Sequence, residues 1–304
     1  MNTIQVKKIQ TLSGHNDSLY TLEKVSDSHF ISAGGDGMIA LWDLREPENG
    51  VMIAKVPSSV YALAFLKSKG LLVVGQNFSG VHLIDVEKRE EIASVAITTS
   101  SIFDIQCSDK SIWVACGDGM VIHLDWDLNV LTKKSWSDKS ARTIAVNPNG
   151  KEIAVGYSDN TIRILNPNDL SILREIEAHK ISVFTLQYHP QLPLLVSGSR
   201  DARIKFWDIH NNYQLVEEIP AHMYAINHIH FRADGQYFVS CSMDKSIKVW
   251  DAHSFKLLKV IDKARHAGHG TSVNKLLWMP HNNWVVSCSD DRTISIWDVN
   301  FTDQ

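Results

Sequence analysis

The sequence predicts an all-β protein made of repeated units. The chain of 304 residues contains many short runs of alternating or small apolar residues, separated by turns rich in Gly and Asp. An apolar residue followed by Asp or Asn closes such a run at regular intervals. These dipeptides are Trp42-Asp43, Ile84-Asp85, Leu124-Asp125, Leu165-Asn166, Trp207-Asp208, Trp250-Asp251 and Trp297-Asp298, with spacings of 42, 40, 41, 42, 43 and 47 residues. This period indicates seven copies of one supersecondary unit.

Four of the units also share a frame of polar side chains. The Asp lies six residues before the Trp, the Ser lies ten before it, and a His lies seventeen or eighteen residues before the Ser. The four sets are His15, Ser32, Asp36 and Trp42; His179, Ser197, Asp201 and Trp207; His222, Ser240, Asp244 and Trp250; and His269, Ser287, Asp291 and Trp297. A chain of hydrogen bonds from Trp through Ser and His to Asp would satisfy all four groups in a buried place. We predict a structural relay, because an enzyme needs one activated nucleophile rather than four identical ones.

The dipeptides at both ends of the units resemble those of the WD40-repeat family. Gly14-His15 and Gly268-His269 start two units, Ala178-His179 and Ala221-His222 start two others, and Trp-Asp ends four. The resemblance covers essentially the whole chain and implies a seven-bladed β-propeller of four-stranded antiparallel blades. We therefore predict one propeller domain over residues 1–304.

The ends of the chain predict how the ring closes. After Trp297-Asp298 only six residues remain, too few for the outer strand that follows every other Trp-Asp position. Residues 4–12 include the alternating run Ile4–Ile9 directly before the first Gly-His. We predict that this segment forms the outer strand of the last blade, which would also cover an open sheet edge.

Units two to four lack the polar frame. At the His, Ser, Asp and Trp positions they carry Val56, Val74, Phe78 and Ile84; Thr98, Val114, Asp118 and Leu124; and Ser137, Val155, Asp159 and Leu165. Replacing a whole buried polar relay by apolar groups can be nearly neutral, whereas removing one partner leaves the others unsatisfied. We therefore expect three true blades with dry interiors, and no relay contact for Thr98.

Composition and motifs argue against several classes of function. A net charge of −4 and a pI near 6.4 provide no basic field for nucleic acid. No apolar run is long enough for a membrane span or a signal peptide, and four cysteines without a C-x-x-C pair suit a reducing compartment, so a cytoplasmic location is expected. No cofactor is expected.

Two histidine pairs deserve comparison with metal sites, and we predict no metal at either. His269 already belongs to a relay, which leaves His266 alone, and of His228 and His230 only one is expected to face a given side of its strand. Neither pair has a carboxylate or Cys to complete a tetrahedral set. The segment Asp262–Gly268, which causes the 47-residue spacing, is predicted to be a mobile loop.

The resemblance implies a ring of side chains on the narrow face of the propeller, where the family binds partners. The seven positions are Tyr20, Tyr61, Phe103, Arg142, Phe184, Asn227 and Asn274, with Arg200 next to them. Aromatic and Arg side chains dominate binding hot spots, and two neighbouring Arg could hold a carboxylate or phosphate. The ring contains no His, Cys, Asp or Glu, so it offers no general base. The alternative is that these rings merely plug the central channel.

Together these observations predict a non-enzymatic scaffold, monomeric by itself, that binds a peptide or partner protein, including one with an acidic group. The alternative is a propeller enzyme or small-ligand sensor that uses the central channel. Trp136 either extends the binding surface or packs in the core. Convergent titratable groups would favour the enzyme, and none are expected in the channel lining.

Overall fold

A computed structural model describes residues 3–302, and over these residues the chain forms seven four-stranded antiparallel sheets. Each sheet is one blade, with its innermost strand first. The innermost strand of every blade contacts that of the next, and the contact between the last and the first closes the ring. The predicted seven-bladed β-propeller is confirmed.

The strands follow one another along the chain, from the centre of each blade outwards. The N-terminal strand is β1 (Thr3–Leu12). Blade one contains β2 (Leu19–Lys24), β3 (His29–Gly34), β4 (Met38–Asp43) and β5 (Val51–Lys55); blade two β6 (Val60–Leu66), β7 (Leu71–Gln76), β8 (Gly80–Asp85) and β9 (Glu90–Ala96); blade three β10 (Ile102–Cys107), β11 (Ile112–Cys116), β12 (Met120–Leu124) and β13 (Val130–Ser135); blade four β14 (Ala141–Val146), β15 (Ile153–Tyr157), β16 (Thr161–Leu165) and β17 (Ile172–Glu177). Blade five contains β18 (Val183–Tyr188), β19 (Leu194–Ser199), β20 (Arg203–Asp208) and β21 (Gln214–Pro220); blade six β22 (Ile226–Phe231), β23 (Tyr237–Ser242), β24 (Ile247–Asp251) and β25 (Leu257–Ile261); blade seven β26 (Val273–Trp278), β27 (Trp284–Ser289) and β28 (Ile294–Thr302).

The N-terminal strand completes blade seven. Strand β1 pairs antiparallel with β28 along its whole length, with Val6 opposite Val299 and Lys8 opposite Trp297. Ile4 and Leu12 on this strand are buried in two different apolar clusters. The predicted closure is therefore confirmed: one blade is built from both ends of the described chain.

The apolar core consists of clusters that lie between neighbouring blades. The second strands are buried on both faces, as the all-apolar β11 shows, while outer strands such as β13 are mostly exposed. Each cluster joins neighbouring blades: Ile31 and Ile39 of blade one pack with Val60 of blade two. Burial of each such side chain stabilises the fold by roughly 1.5–3 kcal/mol. Blades with quite different interiors can therefore share one ring.

The expectation of dry interiors is only partly correct for blades two to four. Val74, Val114 and Val155 at the Ser position are fully buried. In blade three, however, Thr98 Oγ1 donates to Asp118 at 3.4 Å, so the expectation that Thr98 makes no such contact is wrong. In blade four the relay is replaced by a buried Arg. The apolar substitution is complete only at the Ser and Trp positions.

Arg163 of blade four pairs with two carboxylates. Its guanidinium donates to Asp159 at 2.9 Å and to Glu175 at 2.7 Å, and it lies 4.5 Å from the centre of the Tyr157 ring. These acceptors come from one strand end and the outer strand, which explains how a buried charge is tolerated here.

The long connection before blade seven contains a short helical turn. Residues Lys263–His266 form α1, capped by the Asp262 side chain, which accepts from the Arg265 backbone N–H. Lys8 Nζ of β1 donates to Ala267 O at 2.8 Å. The connection thus includes a capped helical turn that is hydrogen-bonded to the closing strand.

Candidate partner-binding site

A β-bulge places each of the seven ring side chains. In every blade the pairing between the first and second strands skips one residue near the start of the innermost strand. The skipped residues are Tyr20, Tyr61, Phe103, Arg142, Phe184, Asn227 and Asn274. A bulge re-aims a side chain and frees it from the ladder. All seven are half-buried and line one central cavity of about 350 Å³. We call this ring, together with Arg200, the rim.

Five consecutive rim residues form a continuous arc of stacked groups. The Tyr20 and Tyr61 rings meet edge-on with centres 4.7 Å apart, and the rings of Tyr61 and Phe103 stack at 5.9 Å. The Arg142 guanidinium carbon lies 4.1 Å from the Phe103 ring centre and 5.1 Å from that of Phe184. The arc therefore holds a cation between two aromatic faces.

Arg142 has donors left over in this position. Its Nε donates to Ser158 Oγ at 3.0 Å, whereas its terminal amino groups donate to no other group in the described chain. Burial, together with the charge of the exposed Arg200, lowers the pKa of Arg142 from its usual value. An anion arriving here would relieve both effects.

The two Asn residues of the rim join blades six, seven and one. Asn227 Nδ2 donates to Ser272 Oγ at 2.9 Å and to Val273 O at 2.8 Å. Asn274 Nδ2 donates to Leu19 O at 2.7 Å and to Asp290 at 2.8 Å. Both line the cavity, but their side-chain donors are already used within the protein.

A patch of exposed apolar side chains lies on blade six. Met223 is 82% exposed, Tyr224 62% and Met243 52%. The two segments are linked next to these residues, since the Ser242 hydroxyl, beside Met243, donates to Tyr224 O at 3.1 Å. Met243 occupies in blade six the position that Arg200 occupies in blade five: each donates its backbone N–H to the residue before the innermost strand. We call these three residues the blade-six patch.

The polar frames form complete hydrogen-bonded chains in blades one, five, six and seven. The His Nε2 lies 2.8–2.9 Å from the Ser Oγ, and the Trp Nε1 donates to the same oxygen at 2.8–2.9 Å. The His Nδ1 lies 2.8–3.1 Å from the Asp. Burial alone would raise the pKa of Asp201, but hydrogen bonds with His179 and two backbone N–H groups lower it to about 2. These chains lie inside the blades and away from the cavity.

Below the rim the cavity contains titratable groups that the sequence did not suggest. Asp104, His228 and Lys275 line it, so the expectation that the lining lacks titratable groups is wrong. Each follows a bulged rim residue directly, and the bulge turns this next side chain towards the cavity as well. Simple alternation would have pointed it the other way.

Several polar side chains of the innermost strands accept hydrogen bonds from backbone N–H groups on the neighbouring innermost strand. Glu23 accepts from Phe65 N at 3.2 Å, and Asp104 accepts from Ile144 N at 2.8 Å. His228 Nδ1 and His230 Nδ1 accept from backbone N–H groups of β26 at 3.3 and 3.2 Å, so both face the same neighbour and the sequence expectation for this pair is wrong. The reason is geometric: residues two apart on a strand share a face. Hydrogen bonding to the neighbouring backbone therefore explains why Glu23, Asp104 and the two histidines occur on the innermost strands.

A comparison with family models now identifies the repeat. The model described as "WD domain, G-beta repeat" matches residues 6–43, 131–166, 170–208, 213–251 and 260–298. The chain belongs to the WD40-repeat family. Each match ends at the third strand of a blade, in blades one, four, five, six and seven of this WD40 propeller, and no match covers blade two or the first three strands of blade three.

Several known proteins are similar to this WD40 chain. Protein groucho of Drosophila melanogaster is 23% identical over 212 residues, which are 66% of this chain and 28% of groucho. The mitogen-activated protein kinase-binding protein 1 of Homo sapiens is 25% identical over 213 residues, which are 59% of this chain and 13% of that protein. The chain thus spans only a minor part of these relatives. Among solved structures, the WD40 β-propeller domain of Doa1 has a TM-score of 0.85, 17% sequence identity and 96% coverage of both chains, which shows the common fold.

Two kinds of feature, a metal-binding cluster and a membrane-spanning helix, are absent from the described residues of the WD40 chain. Within 3–302, no three His, Cys, Asp or Glu side chains come together in a way that could hold a metal ion. In the same range no helix has the length and apolarity needed to cross a bilayer. Trp136 donates its indole N–H to Leu170 O at 3.0 Å and packs on an apolar cluster of blades three and four, so of its two possible places it takes the core.

Proposed function

We propose that this WD40 propeller is a non-enzymatic scaffold that binds a peptide or partner protein across the rim. The aromatic arc from Tyr20 to Phe184 is the anchor surface, and Arg142 with Arg200 receives an acidic group of the partner. One observation carries the proposal: Arg142 is held between two aromatic rings with its terminal donors free. A preorganised guanidinium of this kind suits bidentate binding of a carboxylate.

The position of Arg142 between two aromatic rings also indicates the charge of the partner. The space between Phe103 and Phe184, which would suit a cationic side chain of a ligand, is occupied by the protein's own Arg142. A Lys or Arg arriving there would meet two like charges, because Arg200 acts on Arg142. Acidic partners are therefore favoured over basic ones.

The blade-six patch favours a macromolecular partner over a small molecule. Three exposed apolar side chains extend the rim outwards beyond the cavity, on the blade next to Arg200. Contiguous exposed apolar groups next to polar ones often mark interaction sites. A peptide that places its acidic residue on Arg142 and continues over blade six would bury both features. One relative, mitogen-activated protein kinase-binding protein 1, is named for binding another protein. The four free, mostly buried thiols fit a cytoplasmic scaffold.

The test is selection of binding peptides from a random display library on the purified chain. We expect the selected peptides to contain Asp or Glu, and we expect Phe103→Ala, Arg142→Ala and Phe184→Ala together to weaken their binding by at least about thirtyfold. The thermal midpoint should barely change, because these side chains lie outside the ladder.

The matched control is Met52→Ala, Leu131→Ala and Leu173→Ala, three outer-strand side chains that are each 54% exposed. Removing them should leave peptide binding intact. If the control weakens binding and the rim variant does not, the interaction site lies on the outer circumference and the proposal is wrong.

A further inference from the structure

Among the described residues that line the cavity, Lys275 is a charged group that the contacts given so far do not explain. It follows the bulged Asn274 on β26 and lines the cavity below the rim. Its charge acts on Glu23, Asp104, His228 and His230, which come from three other blades. The ammonium group therefore lies within electrostatic range of side chains from three other blades.

The neighbouring carboxylates do not pair directly with this ammonium. Asp104 already accepts from Ile105 N at 3.0 Å, Thr143 Oγ1 at 3.1 Å and Ile144 N at 2.8 Å. Glu23 accepts from the backbone of blade two. Over residues 3–302, no carboxylate oxygen lies within 4.0 Å of Lys275 Nζ and no group forms a hydrogen bond with it. Such an ammonium is a donor of three hydrogen bonds without an acceptor.

His228 adds a second donor to the same cavity. Burial, and then the charge of Lys275, hold its pKa well below the usual value, so the ring is neutral. Because Nδ1 accepts from Leu276 N, the proton must be on Nε2. That Nε2–H has no acceptor among the described residues, although His228 is buried and lines the cavity.

We propose that the central cavity below the rim is a binding site for a carboxylate, held by Lys275 and His228 and reached past Arg142. The inference builds on the proposed function, since an acidic side chain of a rim-bound peptide is one source of the group. A small free dicarboxylate has the same chemistry and is the other source. Charge-assisted hydrogen bonds to a carboxylate are the strong ones, and the unused donors of Lys275 and His228 face the same cavity.

The first experiment uses succinate, with succinamide as the uncharged analogue and sodium chloride at equal ionic strength as the salt control. Succinate should raise the thermal midpoint of the wild-type chain, and the two controls should not. Succinate should also shift the ring nitrogen resonances of His228 in the wild-type protein. Lys275→Met should abolish the rise in midpoint, and Lys275→Arg should retain most of it.

The second experiment uses an acidic peptide selected on the rim and its Glu→Gln counterpart. The wild-type chain should bind the Glu peptide about tenfold or more tightly than the Gln peptide, and Lys275→Met should bind both alike. Loss of this preference with residual binding places the defect in the cavity, whereas loss of all binding in the Phe103, Arg142 and Phe184 variant reports on the rim.

A result with either source supports the cavity site, and the wild-type measurements decide it even if Lys275→Met does not fold. The inference is overturned if succinate neither stabilises the wild-type chain nor moves the His228 resonances, while the Glu and Gln peptides bind it equally. Rim binding that persists in that case leaves the proposed function standing.

Discussion

Blades one, five, six and seven contain the complete polar relay, whereas blades two, three and four do not. Both groups are continuous around the ring. The Ser oxygen at the centre of each relay and the Val that replaces it are equally buried, as Ser240 and Val74 show. The difference teaches that the blade needs a filled interior with satisfied polar groups, and that a hydrogen-bonded chain and an apolar set are alternative ways to provide it.

The two groups of blades also differ at the rim. Blades two, three and four supply Tyr61, Phe103 and Arg142, the middle of the arc, while blades six and seven supply the two Asn that tie blades together. The part of the ring without relays thus supplies the middle of the arc, including the Arg142 guanidinium. Blade two and the first three strands of blade three also lie outside the family-model matches.

The largest effect is expected where a relay blade is also the closing blade. Deleting residues 1–12 removes β1 from blade seven and exposes the edge of β28. It also exposes the apolar side chains that pack against Ile4 and Leu12. Net stability is small compared with such a loss of contacts, so we expect a steep fall in thermal midpoint and solubility. A truncated chain that melts like the full one would show that closure does not depend on β1.

A single relay member should matter more than the residue at the same position of a blade without the relay. His222→Ala leaves Ser240 and Asp244 without their partner, at a cost of about 1–3 kcal/mol. Thr98→Ala removes one long hydrogen bond at the edge of blade three and should cost about 1 kcal/mol or less. Urea midpoints of the two variants measure the difference, and equal midpoints would contradict it.

A smaller effect is expected in the dependence of stability on pH. The pKa of Asp201 is near 2 in the folded chain against 3.8 ordinarily, so its contribution is present above about pH 4 and is lost as pH falls through the folded value. Burial lowers the pKa of His179, so the unfolded state takes up this proton first and stability already begins to fall below about pH 6.5.

Replacing both members of the pair tests this assignment. His179→Gln with Asp201→Asn should flatten the fall in urea midpoint between about pH 6.5 and pH 3. Asp159→Asn of blade four, whose carboxylate pairs with Arg163 and not with a His, should leave the upper part of that range unchanged. An unchanged pH profile in the double variant would assign the acid sensitivity to other groups.

The sequence predicted what depends on spacing. Equal intervals placed His222, Ser240 and Trp250 in one chain of hydrogen bonds, and the short C-terminal remainder after Trp297 predicted the closing strand. The seven ring positions also follow from spacing, because each lies the same number of residues after the His position of its repeat. Whether they bind a partner stays a prediction.

The sequence could not show what depends on a local break in the pattern. The bulge at each rim residue turns the following side chain into the cavity, so Asp104 and Lys275 line it although the alternation of a regular strand would place them on the opposite side. Arg163 was missed for another reason: its partners Asp159 and Glu175 come together only through the pairing of β16 with the outer strand β17. Such contacts depend on register rather than on composition.

The pairing of β1 with β28 also determines how this ring would respond to a mechanical load. Thr3 lies opposite Thr302, and Leu12 lies opposite Ile294 at the other end of the ladder. Tension applied at Thr3 and Thr302 would therefore separate the two strands one hydrogen-bonded pair after another, instead of shearing all pairs at once. The closing blade would open at low force by peeling, and the other six blades would keep their own ladders until the ring had already opened.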